Sequence, residues 1–217
     1  MKNINHFLSD LRFERYFDLI TEYNQKFNLT TILQKDQVYL KHFADSLLPI
    51  EIFSKNAKIL DIGSGSGMPG IPLAIARDDL KITMVDSVFK KVGFLNIVIG
   101  ELKLENAAAI HSRIEDLKVS NFDYVVAKAV APLNILIEYA LPFLKIGGFL
   151  VAYKAENVDE EIGGSKRALD VMGGVVESVE VMELDGETRR KFVLIKKERV
   201  SPRGYPRRGN KPRIEPL

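Results

Sequence analysis

Between residues 57 and 200, short apolar runs alternate with longer stretches whose apolar positions recur every three or four residues. That is the pattern of a mostly parallel α/β sheet. The runs predict strands over 58–62, 81–86, 107–111, 122–127 and 149–153, with helices over 71–77, 90–102, 133–144 and 156–172. Two later runs, 175–182 and 191–196, flank the turn-like Leu184-Asp185-Gly186-Glu187 and predict an antiparallel pair at the sheet edge. Ahead of this block, Phe13, Phe17, Ile20, Tyr23, Asn24 and Phe27 mark one face of an amphipathic helix over 7–28. A second helix over 35–48 stops near Pro49. After Val200, prolines at 202, 206, 212 and 216 with Gly204 and Gly209 predict a mobile segment without regular structure. The expected organisation is a helical extension over 1–50, an α/β domain over 51–200 and a flexible tail over 201–217.

The first strand of the α/β block runs into Asp61-Ile62-Gly63-Ser64-Gly65-Ser66-Gly67-Met68-Pro69-Gly70. A glycine-rich turn at that place lies where open α/β sheets bind ligands, and glycine tolerates the positive φ and close approach such a turn needs. A dinucleotide fold spaces its third glycine one residue later, and a P-loop needs Gly-Lys-Ser/Thr where Met68-Pro69 stands. The Asp-x-Gly-x-Gly-x-Gly form resembles the S-adenosylmethionine loop of class I methyltransferases, with Gly63, Ser64, Gly65 and Met68 along the cofactor.

Three further strand ends carry candidate chemistry. Asp86, with Ser87 beside it, closes the second strand, where a carboxylate accepts hydrogen bonds from ribose hydroxyls; the plainer alternative is a cap on the next helix. Ile114 and Glu115 follow the third strand, facing the place of a base; Glu115 is equally a surface acid at a helix start. Lys128 closes the fourth strand at the junction of cofactor and substrate, as a candidate catalytic group or as half of an ion pair that stiffens the rim. There are no cysteines, which excludes thiolate attack on a pyrimidine ring, and His6, His42 and His111 show no metal-ligand spacing. No metal is expected. An acceptor with its own lone pair, such as guanine N7, needs no general base and suits so sparse a set.

The net charge of +2 conceals an asymmetry. Residues 189–217 hold eleven basic side chains against Glu198 and Glu215, a local charge of +9 on a body of −7. Clustered positive charge points to a polyanion, and Tyr205 among the basic residues suits single-stranded RNA. Lys90, Lys91, Arg203, Arg207, Arg208, Lys211 and Arg213 are the candidate phosphate contacts. Removing a free tail of this kind is expected to weaken RNA binding and spare the cofactor. With no secretory signal pattern and no apolar run of membrane-spanning length, the expectation is a soluble, cytoplasmic protein without a membrane partner.

Six segments then resemble, in order, the bacterial 16S rRNA guanine-N7 methyltransferase family (RsmG, or glucose-inhibited division protein B). They are Tyr23–Thr30, His42–Leu47, Asp61–Leu73, Asp86–Leu95, Ser112–Glu115 and Lys128–Leu133, followed by a similar ending, Tyr205-Pro206-Arg207-Arg208. The resemblance implies cofactor contacts at Gly63, Met68, Ile114, Glu115 and Lys128. At Lys128 the family usually has arginine, so a bidentate contact does not carry over. It also implies 16S rRNA or the small ribosomal subunit as partner. The competing readings are a methyltransferase for a small molecule or protein, and a noncatalytic protein that binds S-adenosylmethionine and RNA.

Overall fold

The computed structural model describes residues 4–154, 158–186 and 188–217. The predicted helix start at Glu156 and the turn residue Glu187 fall outside them. Seven strands form one sheet: β1 (Lys58–Ile62), β2 (Lys81–Asp86), β3 (Ala107–His111), β4 (Phe122–Lys128), β5 (Leu144–Lys154), β6 (Gly174–Glu183) and β7 (Arg189–Lys197). Their order is β3-β2-β1-β4-β5-β7-β6, parallel through β5, with β7 antiparallel to both β5 and β6. The direction of strand addition reverses between β1 and β4. That reversal opens a crevice at the carboxyl ends of these two strands.

Alternation along each strand divides the core into two layers. Ile59, Met84 and Val126 face one layer, while their neighbours Leu60, Val85 and Val125 face the other. Among the described residues the α-helices, in chain order, are α1 (Asn5–Leu8), α2 (Leu11–Phe27), α3 (Lys35–Val38), α4 (Asp45–Leu47), α5 (Gly70–Ala76), α6 (Phe89–Glu101), α7 (Leu133–Ala140), α8 (Val158–Gly164), α9 (Lys166–Met172) and α10 (Lys211–Ile214). Helices α2, α5 and α6 cover the first layer; α7 and α9 cover the second.

The predicted helix 7–28 is two helices, because the Asp10 carboxylate accepts the Arg12 amide and caps a fresh start at Leu11. Its end is set by Asn24, whose side chain accepts the amides of Leu29 and Thr30 at 2.9 Å each. Asn24 thus belongs to the cap rather than to the apolar stripe. The fully buried residues of α2 are Phe13, Tyr16, Leu19 and Ile20. The predicted helix 35–48 is also more particular: α3 and α4 are joined by a π-helical stretch, Tyr39–Ala44, in which the Asp45 amide bonds the Leu40 carbonyl.

Tyr16 ties this N-terminal layer to the glycine turn. Its hydroxyl, wholly buried, donates to the Ser66 carbonyl at 2.5 Å. Tyr16→Phe leaves that carbonyl buried and unpartnered, at a cost of about 2 kcal/mol. Urea unfolding is expected to show the lower midpoint with an unchanged slope; an unchanged midpoint would remove Tyr16 as a tie.

Candidate active site

The glycine turn leaves β1 and folds back on the tip of β2. The amides of Gly63 and Ser64 donate to the Val85 carbonyl at 2.8 and 3.2 Å. The Gly65 amide donates to Asp86 Oδ2 at 2.9 Å, while Asp86 Oδ1 accepts the Val88 amide at 2.8 Å. Asp86 therefore braces the segment leading into α6, close to the plainer reading of this residue, and also fastens the turn. Each carboxylate oxygen keeps further acceptor capacity.

Not every glycine serves the ligand side. A Cβ on Gly67 would stand 2.6 Å from both Ile71 and the Tyr16 hydroxyl, and one on Gly70 2.7 Å from Asp61 Oδ2 and Met84. These two are glycines because the core leaves no room. Gly63 differs, with φ +67° and its Cβ position 3.0 Å from Val130, across the crevice.

A cavity of about 350 Å³ opens on this side. It gathers Gly63, Asp86, Ser87, Lys91, Ile114 and Glu115 from the sequence candidates, with apolar walls from Ile62 and Val85. The other turn residues look elsewhere. Ser64 is buried and donates to the Asp61 carbonyl at 3.0 Å, and Met68 packs inward with its sulfur 4.0 Å from the Tyr16 hydroxyl and 3.8 Å from Ser46 Oγ. Behind the turn, Asp61 is fully enclosed: Oδ2 accepts the Gly70 amide at 3.0 Å, and Oδ1 has no hydrogen-bond partner among the described residues. Burial pushes its carboxyl up to about 7.

Lys128 corrects an expectation. It does not line this cavity. Its ammonium pairs with Asp45 Oδ2 at 2.5 Å and donates to the Lys41 carbonyl at 3.2 Å. Asp45 Oδ1 takes Arg190 Nε at 2.6 Å, so one buried carboxylate holds two cations. These residues, with His42, Tyr153 and Phe192, line a second cavity of about 500 Å³. Burial lowers the pKa of Lys128, with Asp45 opposing, and lowers that of His42, reinforced by the charge on Lys128. Val130 lines both cavities, and Ala129 beside it holds φ +58°, a strained value for a residue with a side chain.

The basic candidates divide. Lys90, Arg203, Arg208 and Lys211 are exposed. Arg207 is not available as a phosphate contact, because its guanidinium is spent on buried Glu138 at 2.7 Å. The segment 201–217 lies against the domain instead of standing free of it, and α10 carries Pro212 in its first turn, where proline is tolerated. Asp45 stood inside a quoted motif without a role; Glu138, Tyr139, Arg190 and Asn210 carried no sequence signal of their own.

Comparison with known proteins decides the family. Residues 10–193 match the family model described as GidB, rRNA small subunit methyltransferase G. The chain belongs to that family. A relative, ribosomal RNA small subunit methyltransferase G of Lactococcus lactis subsp. lactis, is 41% identical over 214 residues, covering 95% of this chain and 90% of its own. Among solved structures, M. jannaschii TYW2 in complex with AdoMet aligns with TM-score 0.56 and 18% identity over 70% of this chain and 76% of its own. The [4+2]-cyclase SpnF aligns with TM-score 0.57 and 14% identity over 71% and 79%. These two likenesses show the fold alone. Family and fold together make the chain a class I, S-adenosylmethionine-dependent methyltransferase. Among the described residues there is no cluster that could hold a metal ion and no helix long and apolar enough to cross a membrane.

In this family member the Asp61 carboxyl favours the folded state when neutral. That contribution is complete below the unfolded value near 3.8 and is lost as pH rises through about 7. The melting temperature of cofactor-free protein is therefore expected to fall between pH 5 and 8, and Asp61→Asn to flatten the decline. The same slope in both proteins would exclude Asp61 as its source.

Proposed function

We propose that the protein transfers the methyl group of S-adenosylmethionine to N7 of a guanine in the decoding region of 16S rRNA, acting in the cytoplasm on the RNA or the small ribosomal subunit. The observation that carries this reading is the meeting of two unlike cavities at Val130. One offers acids and cations around apolar walls, the other a buried carboxylate clamped between two cations.

The first cavity fits an adenosyl group. Asp86 has acceptor capacity for ribose hydroxyls, Ile62, Val85 and Ile114 suit the faces of a purine, and Glu115 stands at its edge. Ser87 and the backbone of Gly63 complete this side, the Gly65 amide holds Asp86, and Ser64 and Met68 support the turn from within. The enclosed Asp61 sits behind them, where a carboxylate short of one partner complements a cationic ligand. The cofactor supplies an electrophilic methyl on a sulfonium.

The second cavity suits the acceptor base. Burial disfavours the charged form of His42 and of Lys128, the latter still paired with Asp45, and neither is needed to remove a proton, because guanine N7 carries a free lone pair. The bond formed is N7–carbon and the bond broken is sulfur–carbon, so positive charge moves from the sulfonium to the purine. Positioning supplies most of such a reaction. Lys128, clamped by Asp45 and the Lys41 carbonyl, sets the wall against which the base is placed. Lys90, Lys91, Arg203, Arg208 and Lys211 supply phosphate contacts around it.

Methyl-labelled S-adenosylmethionine and small subunits from cells lacking this activity are expected to yield label on N7 of one decoding-region guanine. Label on a protein or small molecule, or cofactor binding with no transfer at all, would overturn the acceptor. Separately, replacing Arg203, Arg208 and Lys211 by glutamine is expected to weaken RNA binding and reduce the slope of log affinity against log salt by about 2, at ~0.7 per single-strand phosphate contact. An unchanged slope would place the RNA elsewhere.

A further inference from the structure

One wall of the first cavity comes from outside the α/β domain. Gly209, Asn210 and Arg213 line it from the C-terminal segment. The segment is held there by contacts spread along its length. The Arg207 amide donates to Glu138 Oε1 at 2.9 Å, and its guanidinium reaches both carboxylate oxygens at 2.7 to 3.2 Å. Glu138 has no solvent exposure, so this is a buried, two-pronged, charge-assisted contact, and loss of Arg207 strands a carboxylate in the core. Arg207 also donates to the Glu215 carbonyl at 2.9 Å, closing residues 207–215 into a loop. At one end of the cavity the Gly209 amide donates to Glu115 Oε1 at 3.1 Å. At the other, Arg213 reaches the Val130 carbonyl at 3.4 Å.

We infer that residues 207–213 form a strap that completes the cofactor site, with Asn210 and Arg213 facing S-adenosylmethionine and the Glu138–Arg207 pair positioning them. The inference rests on reading the first cavity as the cofactor site. The strap runs between the two residues that mark that cavity's ends, Glu115 and Val130. Its chemistry matches what the Val130 side of the domain lacks: the domain's own cations in the cavity, Lys91 and Arg113, stand with Asp86 and Glu115 on the β2–β3 side, whereas S-adenosylmethionine carries a carboxylate as well as its sulfonium. Arg213 is a cation at the Val130 end, with a long carbonyl contact that leaves guanidinium donors for a ligand. Asn210 adds an amide able to donate and accept. Truncation at residue 206 should therefore cost cofactor affinity as well as RNA affinity, whereas loss of a free tail would spare the cofactor.

The test is calorimetric titration of S-adenosylmethionine, without RNA, into the full chain and into Asp86→Ala, Arg213→Ala and Glu138→Gln. Arg213→Ala is expected to raise Kd about tenfold, the loss of one charge-assisted contact. Glu138→Gln keeps the side chain's shape while weakening the latch, and is expected to raise Kd by a smaller factor. Saturating cofactor should also slow amide hydrogen exchange at 208–213 in the parent protein, and less so in Glu138→Gln. If Asp86→Ala loses affinity while Arg213→Ala binds as tightly as the parent and exchange at 208–213 ignores the cofactor, the strap is overturned and the cavity stands. If Asp86→Ala binds normally, the cavity assignment itself fails, and the strap with it.

Discussion

The carboxyl of Asp61 is enclosed at the end of β1, and the turn that builds the cofactor cavity hangs from it. One oxygen holds the Gly70 amide, and the space it fills admits no Cβ at residue 70. That fixes where α5 begins. Tyr16 fixes the middle of the turn through the Ser66 carbonyl, and Asp86 fixes its outer edge through the Gly65 amide. Three anchors from three elements thus hold a stretch of chain whose own side chains are too small to hold it. A loop fixed this way presents backbone to a ligand without losing rigidity.

Both sides of the crevice carry mixed charge, arranged differently. Asp86 and Glu115 stand with Lys91 and Arg113 on the β2–β3 side, and the Lys128–Asp45–Arg190 cluster on the β4–β7 side. Asp45 keeps two cations at fixed positions, which a mobile lysine alone could not do. The acidic body and the basic C-terminal stretch also meet in places. Some of the acids are internal counterions, Glu138 and Asp45 among them, whereas Arg203, Arg208 and Lys211 remain outside.

The sheet was legible because strand periodicity and turn composition are local. β1, β2 and β3 fall at the expected residues, and the glycine turn follows from its spacing alone. The direction of Lys128 was not legible, since its partner Asp45 lies on another element and no spacing rule joins them. The C-terminal segment misled for a related reason. Proline and glycine forbid long regular elements, but they say nothing about docking, which here depends on Arg207 meeting a carboxylate 69 residues away. Glu138 likewise reads as a surface acid on an amphipathic helix until that partner is known. Tyr16 shows the same limit on a smaller scale: a helix stripe reveals the buried face but not the hydroxyl's errand.

The π-helical stretch 39–44 bears on how this chain tolerates change in length. A π turn spends one residue more than an α turn on nearly the same rotation, so each of its residues advances direction by less than the usual ~100°. Deleting a single residue there would restore ordinary pitch and leave the residues beyond it facing nearly as before. Asp45 lies immediately beyond and His42 lies within. A one-residue gap would thus keep Asp45 on Lys128 and Arg190 while redrawing the bulge that carries His42, so a change of length here acts on one wall of the second cavity and not on the ion cluster.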